Sequence, residues 1–128
     1  MRSILLSIKP EYVDKILAGT KLYEFRKRIA TEKVEFIYIY STSPIMKIVA
    51  RVSVDNVIKA SPTALWEETK HSAGISRKDY RIYFKGCKFA FAYKLGTMEV
   101  FNPPKNLQDF GVDAPPQSFV YLPLDTKN

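Results

Sequence analysis

Residues 34–41 read Val-Glu-Phe-Ile-Tyr-Ile-Tyr-Ser, and after the break Thr42-Ser43-Pro44 a second extended run follows over residues 47–59. The first run carries β-branched and aromatic residues on both faces, which predicts a central strand. In the second run, positions 48, 50, 52 and 54 are all apolar and share one face, while the other face is mostly polar. A strand with one wet face is typical of antiparallel sheets and barrels.

The rest of the chain contributes short helices and further strands around these two. The patterns predict a strand at 3–9, a helix at 10–18 closed by Gly19, a strand at 21–27, a helix N-capped by Ser61 that fades near His71, a helix N-capped by Ser76 that ends at Gly86, a strand at 87–94, a short strand at 99–101 and a last strand at 117–122. Three successive strands without intervening helices disfavour a doubly wound parallel fold. The order predicts an α+β fold with a small barrel-like sheet, and 128 residues predict one domain over 1–128.

The chain is basic. Its 20 Lys and Arg residues exceed its 13 Asp and Glu residues and leave a net charge of +7. A small protein with this charge has a positive field of the kind that attracts phosphate backbones. The same charge can instead serve only to keep the surface soluble, so composition leaves both interpretations open.

Several classes of protein are excluded by what the chain lacks. Its only cysteine, Cys87, rules out an intramolecular disulfide, fits a reducing compartment such as the cytoplasm, and is predicted to be a buried core thiol in a strand. One cysteine and one histidine, His71, are too few ligands for the usual metal sites. The apolar run Ile4-Leu5-Leu6 is too short for a signal peptide core or a membrane span. Without a Gly-rich phosphate loop or a Ser-His-Asp arrangement, neither a cofactor nor a metal is predicted.

Charged residues of both signs cluster at the start of the strand that follows the first helix. They are Lys21, Glu24 and Arg26. A buried lysine can lose its proton and act as base or nucleophile, and an arginine can grip a phosphate or a base edge. Glu24 and Arg26 share a strand face, so they can pair or converge on a ligand. The alternative is a surface salt bridge of small value beside a fully solvated Lys21.

Three further features have a functional and a structural interpretation. Aromatic residues at 38, 40, 80, 83, 119 and 121 accompany cations and can stack bases, although such residues are more often core. Residues 76–81 carry three cations near a helix N-terminus, which steer phosphate or simply form a solvated face. Residues 115–119, Pro-Pro-Gln-Ser-Phe, form either a stiff cleft wall or a plain turn.

Five blocks of the chain together resemble one known family. The first two are residues 4–12, Ile-Leu-Leu-Ser-Ile-Lys-Pro-Glu-Tyr, and residues 16–26, Ile-Leu-Ala-Gly-Thr-Lys-Leu-Tyr-Glu-Phe-Arg. The glycine, the lysine two residues on and the Glu-x-Arg form the N-terminal signature. The later blocks lie at residues 40–44, 79–86 and 115–119. Over most of its length the chain resembles the ASCH domain family of the PUA-like superfamily, in its small single-domain prokaryotic type.

The resemblance implies a PUA-like β-barrel with helices at its ends and a cleft beside it. It also implies association with RNA or a modified nucleotide, in a cleft lined by Lys21, Glu24 and Arg26. No membrane partner is expected, and no feature of the sequence sets an oligomeric state. The candidate ligand-binding or nucleic-acid-binding residues are Lys9, Lys21, Glu24, Arg26, Ser41, Tyr80, Gln117 and Ser118.

Some proteins of this family are enzymes, so the resemblance also leaves a hydrolase open. One small bacterial branch hydrolyses the amide of N4-acetylcytidine with a lysine, a threonine and a glutamate, and another has been described as a ribonuclease. Lys21 matches the lysine of the first branch and is the candidate catalytic residue. The threonine position holds Glu24 instead, and Ser72-Ala73-Gly74 has no acidic residue, so two of the three catalytic positions differ.

Overall fold

A computed structural model describes residues 1–123 of the chain. Its regular elements, in chain order, are β1 (Arg2–Ile8), α1 (Pro10–Leu17), β2 (Tyr23–Arg26), β3 (Val34–Ser41), β4 (Lys47–Ala60), α2 (Pro62–Thr69), α3 (Arg77–Phe84), β5 (Ala90–Lys105) and β6 (Phe119–Tyr121). Short 3-10 turns lie at Lys70–Ser72 and Leu107–Phe110. Within residues 1–123, no helix is long and apolar enough to cross a membrane.

The six strands form one curled half-barrel sheet in the order β2-β5-β4-β3-β1-β6. β1 and β3 are parallel because α1 and β2 carry the chain back between them, and the other neighbouring pairs are antiparallel. Three short helices pack on this sheet. The predicted α+β class, with a PUA-like sheet and a few short helices, is confirmed.

Helix boundaries follow local signals in the sequence. Pro10 and Pro62 stand at the first turns of α1 and α2, where a missing N–H leaves no bond unmade. The Ser61 and Ser76 hydroxyls accept from the backbone N–H groups of residues 64 and 79 and so cap α2 and α3. These caps were predicted and are confirmed.

One prediction about the strands is wrong. Residues 87–94 and 99–101 were expected to form two strands, but β5 runs continuously over Ala90–Lys105. At Gly96 the side chains of Asp55 and Ser53 on β4 lie over the backbone, where an added Cβ would sit 2.2 Å from Asp55 Oδ1. The pairing of β4 with β5 shifts register here, between the pairs Val52–Met98 and Val54–Leu95. This bulge interrupts the side-chain alternation without ending the strand.

Cys87 also departs from its predicted place in a buried strand. It precedes β5 and is only partly buried against the cluster below α2 and α3. The strand begins later than predicted because the turn after α3 continues through Gly86 and beyond.

Both faces of the central strands are covered. Ile4 and Leu6 of β1 pack with α1, whereas Leu5 packs on the opposite face against the turn at Leu107–Phe110. A third apolar cluster joins β2 and the start of β5 to α2 and α3. Because strand side chains alternate between faces, a strand buried on both sides reads as a continuous apolar run, as β3 does.

Candidate functional site

A cavity of about 440 Å³ opens between the end of β1, α1, β2 and α3. We call it the Lys21 cavity. Its charged lining consists of Lys9, Glu11, Lys21, Glu24, Arg26 and Asp79. It therefore brings together four of the residues that the sequence predicted, namely the lysines at 9 and 21 and the Glu-x-Arg pair.

Lys21 is buried, with only 3% of its surface exposed. Its Nζ donates to the Ala73 carbonyl oxygen at 2.8 Å and lies 4.8 Å from the centre of the Phe25 ring and 5.3 Å from that of Tyr12. Burial lowers the pKa of this ammonium to about 8, against an upward effect of Glu24 and further lowering by Lys15 and Arg26. The alternative of a fully solvated Lys21 is wrong.

The backbone around Lys21 holds its side chain in place. The Lys21 N–H donates to the Lys15 carbonyl at the end of α1, which bends the chain back toward β2. Gly74, whose φ is +66°, lies against the methylene stem of Lys21. A Cβ at Gly74 would sit 2.4 Å from Lys21 Cβ. Only glycine fits this approach without displacing the lysine.

Glu24 and Arg26 form a largely buried pair. Arg26 Nη2 and Nε lie 2.8 Å and 3.0 Å from Glu24 Oε2, and Nη2 also donates to the Ser7 carbonyl at 2.9 Å. The guanidinium is therefore fixed on two elements, β1 and β2. A pair held in this way is not the solvated surface salt bridge of the alternative interpretation.

The positive and negative charges of the Lys21 cavity are balanced. Three cations face three carboxylates, alongside the rings of Tyr12, Phe25 and Tyr83. Burial, with the carboxylates of Glu11 and Asp79, raises the pKa of the Tyr12 hydroxyl, so it stays protonated and can donate. No group of three His, Cys, Asp or Glu side chains in residues 1–123 is arranged to hold a metal ion.

Gln117 and Ser118 lie in a smaller hollow of about 220 Å³ next to the cavity. We call it the Arg28 hollow, since Lys27 and Arg28 line it. Arg26 and Tyr83 line both the hollow and the cavity, so the two share a wall. Pro116 is tied to β1, because its carbonyl accepts from the Ser7 hydroxyl at 2.7 Å.

The two remaining predicted residues lie elsewhere. Ser41 is buried at the end of β3 and does not line the cavity. Tyr80 is a core residue whose hydroxyl donates to the Pro62 carbonyl at 2.7 Å and whose ring packs edge-on against Phe25. Its buried ring joins α2 to α3. For Tyr80, core packing rather than base stacking is therefore the correct interpretation.

Sequence reasoning missed the contribution of α3 to the cavity wall. Asp79, Ile82 and Tyr83 line it together. Their spacing of three and four residues places them on one helix face, which was visible in the sequence. That this face meets Lys21 rather than solvent depends on how α3 packs, and the spacing alone does not contain that information.

The half-barrel sheet with a cavity beside it defines the PUA-like class of fold. The model of the ASCH domain family matches residues 6–103, which is most of the chain. This chain belongs to the ASCH domain family. The resemblance inferred from the sequence blocks is thereby confirmed.

Similar proteins agree with this assignment. A relative from Zymomonas mobilis named ASCH domain-containing ribonuclease is 29% identical over 125 aligned residues, a match that spans 94% of this chain and 84% of that protein. The crystal structure of ASCH from Zymomonas mobilis superimposes with a TM-score of 0.87 at 27% identity, covering 96% of this chain and 89% of that chain. At 29% identity the chain also matches 15% of the length of ATP synthase subunit alpha from Ureaplasma parvum.

Proposed function

We propose that this protein binds RNA or a modified nucleotide, with one base held in the Lys21 cavity. The observation that carries the proposal is the cavity itself, in which fixed charges of both signs surround aromatic rings. A nucleobase presents donors and acceptors on its edge and a flat face for stacking. A charge-balanced, aromatic cavity fits a base better than it fits a bare phosphate.

Each charged group of the cavity has a role in this proposal. The contacts of Arg26 to Glu24 within residues 1–123 both go to Oε2, so Oε1 can accept from an exocyclic amino group of a base. Lys21 donates to a base carbonyl with a second Nζ proton, since one is held by Ala73. The rings of Tyr12 and Tyr83 supply faces for stacking. Lys9, on the exposed rim, meets the sugar-phosphate backbone.

The RNA affinities of single-residue variants test the proposal. We expect Lys21→Gln to weaken binding of single-stranded RNA by about 10-fold or more, because a shorter, neutral donor replaces the charged ammonium that faces a base acceptor. Lys33→Gln, an exposed change of the same charge that does not line the cavity, should have an effect below about 3-fold. Equal affinities of the wild type and Lys21→Gln would refute the base-binding role.

A second candidate function is RNA cleavage with Lys21 as general base. It is favoured by the lowered pKa of Lys21 and by the ribonuclease name of the Zymomonas mobilis relative. Near pH 8 about half of Lys21 is a neutral amine, whose lone pair can take the proton of a ribose 2′-hydroxyl as that oxygen attacks the adjacent phosphorus. The 5′-oxygen then leaves and takes a proton from solvent.

Incubation with labelled RNA separates cleavage from binding. Cleavage predicts fragments that end in a 2′,3′-cyclic phosphate, a rate that rises from pH 6 to about pH 8, and loss of activity in Lys21→Gln. RNA with 2′-O-methyl ribose should bind and stay intact. A parallel incubation with N4-acetylcytidine tests the amidohydrolase alternative. That branch uses a glutamate together with its lysine, whereas here the Lys21 ammonium contacts the backbone carbonyl of Ala73. Intact RNA and intact N4-acetylcytidine would leave binding as the function.

A further inference from the structure

A second concave surface lies on the other side of α3 from the Lys21 cavity. It is a groove of about 840 Å³ between α2 and α3, here called the α2–α3 groove. Four cations line it, Arg77, Lys78, Arg81 and Lys85, together with Trp66. Among residues 1–123, no Asp or Glu lines it. The groove is therefore the positively charged counterpart of the charge-balanced cavity.

The cavity and the groove meet at one side chain. Ile82 lines both and is 63% exposed, so it forms a low apolar ridge between them. A single-stranded chain that leaves the cavity on this side crosses Ile82 and enters the groove directly. Arg77, Lys78 and Arg81 are exposed on α3, and Lys85 is exposed directly after it, so the cations of the groove point away from the core.

Trp66 offers a flat ring inside the groove. One side of it packs on Tyr80, with ring centres 4.8 Å apart, and Tyr80 is itself fixed by its bond to the Pro62 carbonyl. The indole is partly exposed and lines the groove. An aromatic ring among cations is the arrangement that stacks an unpaired base while neighbouring phosphates are neutralised.

Charge decides which part of RNA each surface suits. The cavity has as many carboxylates as cations, so a phosphate there gains little net attraction. The groove has four cations, and the exposed Glu67, which lies outside its lining, is paired with Lys70 at 2.7 Å. Phosphates therefore fit the groove, and a base fits the cavity.

We propose that the α2–α3 groove is a second RNA subsite, which holds the nucleotides next to the one whose base occupies the Lys21 cavity. The proposal rests on the proposed function for the identity of the cavity's occupant. Phosphates contact Arg77, Lys78 and Arg81, and one base stacks on Trp66. A mononucleotide fills only the cavity, whereas an oligonucleotide reaches both surfaces.

The fluorescence of Trp66 reports on the groove without any mutation, because the chain has a single tryptophan. Titration with an octacytidylate should quench this fluorescence, and titration with cytidine monophosphate should not. An unchanged signal with an octanucleotide that binds by another measurement would overturn the proposal. So would equal quenching by the mononucleotide.

Paired variants test the cations. Arg77→Gln with Arg81→Gln should weaken octanucleotide binding by about 10-fold and lower the slope of log K against log salt by about 1.4, while mononucleotide affinity stays within about 2-fold. Lys33→Gln with Lys94→Gln removes the same charge from exposed positions that line neither surface, and it should change octanucleotide affinity by less than about 3-fold. Equal losses in the two double variants would overturn the subsite.

The outcomes for groove and cavity are separable. If Lys21→Gln has no effect but the groove pair shows its loss, the base-binding role fails and the groove stands as an RNA surface. If Lys21→Gln has its effect and the groove pair behaves like its control, the groove proposal fails alone. Displacement of the octanucleotide by polyglutamate of matched charge would overturn RNA as the occupant.

Discussion

Lys21 is charged at neutral pH even though its side chain is almost fully buried. Three features offset part of the cost of burial: the Ala73 carbonyl, the faces of two aromatic rings and the nearby Glu24 carboxylate. They do not offset the whole cost of burial, since the pKa of Lys21 still falls to about 8. A residue that lowers stability in this way is a candidate for function.

The burial of Lys21 predicts a pH dependence of stability. The usual pKa of 10.5 applies to the unfolded chain and about 8 to the folded one, so between these values the unfolded state binds more protons and the free energy of unfolding rises with pH. Below pH 8 Lys21 is protonated in both the folded and the unfolded state. The burial of its charge then lowers the free energy of unfolding by its full amount, about 3 kcal/mol at most.

Lys21→Met should therefore be more stable than the wild type by about 1–3 kcal/mol at pH 7, and this difference should vanish toward pH 10.5. Urea unfolding at several pH values measures it. Lys33→Met, an exposed control, should run parallel to the wild type. A constant difference between Lys21→Met and the wild type across this range would contradict the burial cost.

Gly74 predicts a second effect at the residue scale. Alanine there must adopt φ +66° and place its Cβ 2.4 Å from Lys21 Cβ, so we expect a loss of about 2–4 kcal/mol together with weaker nucleotide binding. Gly86→Ala is the matched control, since φ is +82° but no atom lies within 4 Å of the added Cβ. It should cost only about 1 kcal/mol. Thermal unfolding of both variants measures the difference, and equal losses would show that the approach to Lys21 is unimportant.

At the scale of elements, the shortest strand positions the Arg28 hollow. β6 has three residues and pairs with β1 at the edge of the sheet. Just after it, the Leu122 N–H donates to the Ser3 carbonyl at 2.9 Å, and the Leu122 side chain enters the core. Gln117 and Ser118 precede β6 directly, so this anchor determines where they lie.

Leu122→Ala tests the anchor. Leu122 is 1% exposed, and its truncation should cost about 2–4 kcal/mol through lost burial and a residual cavity. Val120→Ala, within β6 and 37% exposed, should cost less than about 1 kcal/mol. Chemical denaturation measures both losses. If they are equal, β6 is not held by Leu122.

The elements also show what sequence could predict and what it could not. The starts of α1, α2 and α3 were predictable, because a proline or a capping serine acts on its own next few residues. The length of β5 was not, because its continuity depends on pairing with β4 some 40 residues away, across a bulge at Gly96. A local pattern cannot report whether a partner strand continues beside it.

The same limit applies to the candidate site. Lys21, Glu24 and Arg26 lie within six residues, so their cluster was visible in the sequence, and the cavity contains all three. Ser41 and Tyr80 were predicted as binding residues because they belong to blocks that resemble the family, but both lie in the core. Ile82 was overlooked because an exposed isoleucine has no meaning until α3 is seen between two concave surfaces.

At the scale of the whole molecule, the positive charge is unevenly distributed over the concave surfaces. The Lys21 cavity is balanced, whereas the described part of the chain lines the α2–α3 groove and the Arg28 hollow, on its two sides, with cations and no carboxylate. Under the proposed function, an approaching RNA chain meets attraction on both flanks and a neutralised centre. The summed field would then steer its approach, and contacts on the flanks would set its dissociation rate.

These two effects can be separated by kinetics. Lys27→Gln with Arg28→Gln removes two charges from the Arg28 hollow, and Lys33→Gln with Lys94→Gln removes two from elsewhere. Because steering depends on the summed field, both pairs should slow association of an octanucleotide by a similar factor of about 2–3 at low salt. Only the first pair should also speed dissociation, by about 10-fold, since only those side chains meet phosphates. Stopped-flow measurement with labelled RNA at several salt concentrations gives both rates, and equal dissociation rates would mean that the hollow acts through net charge alone.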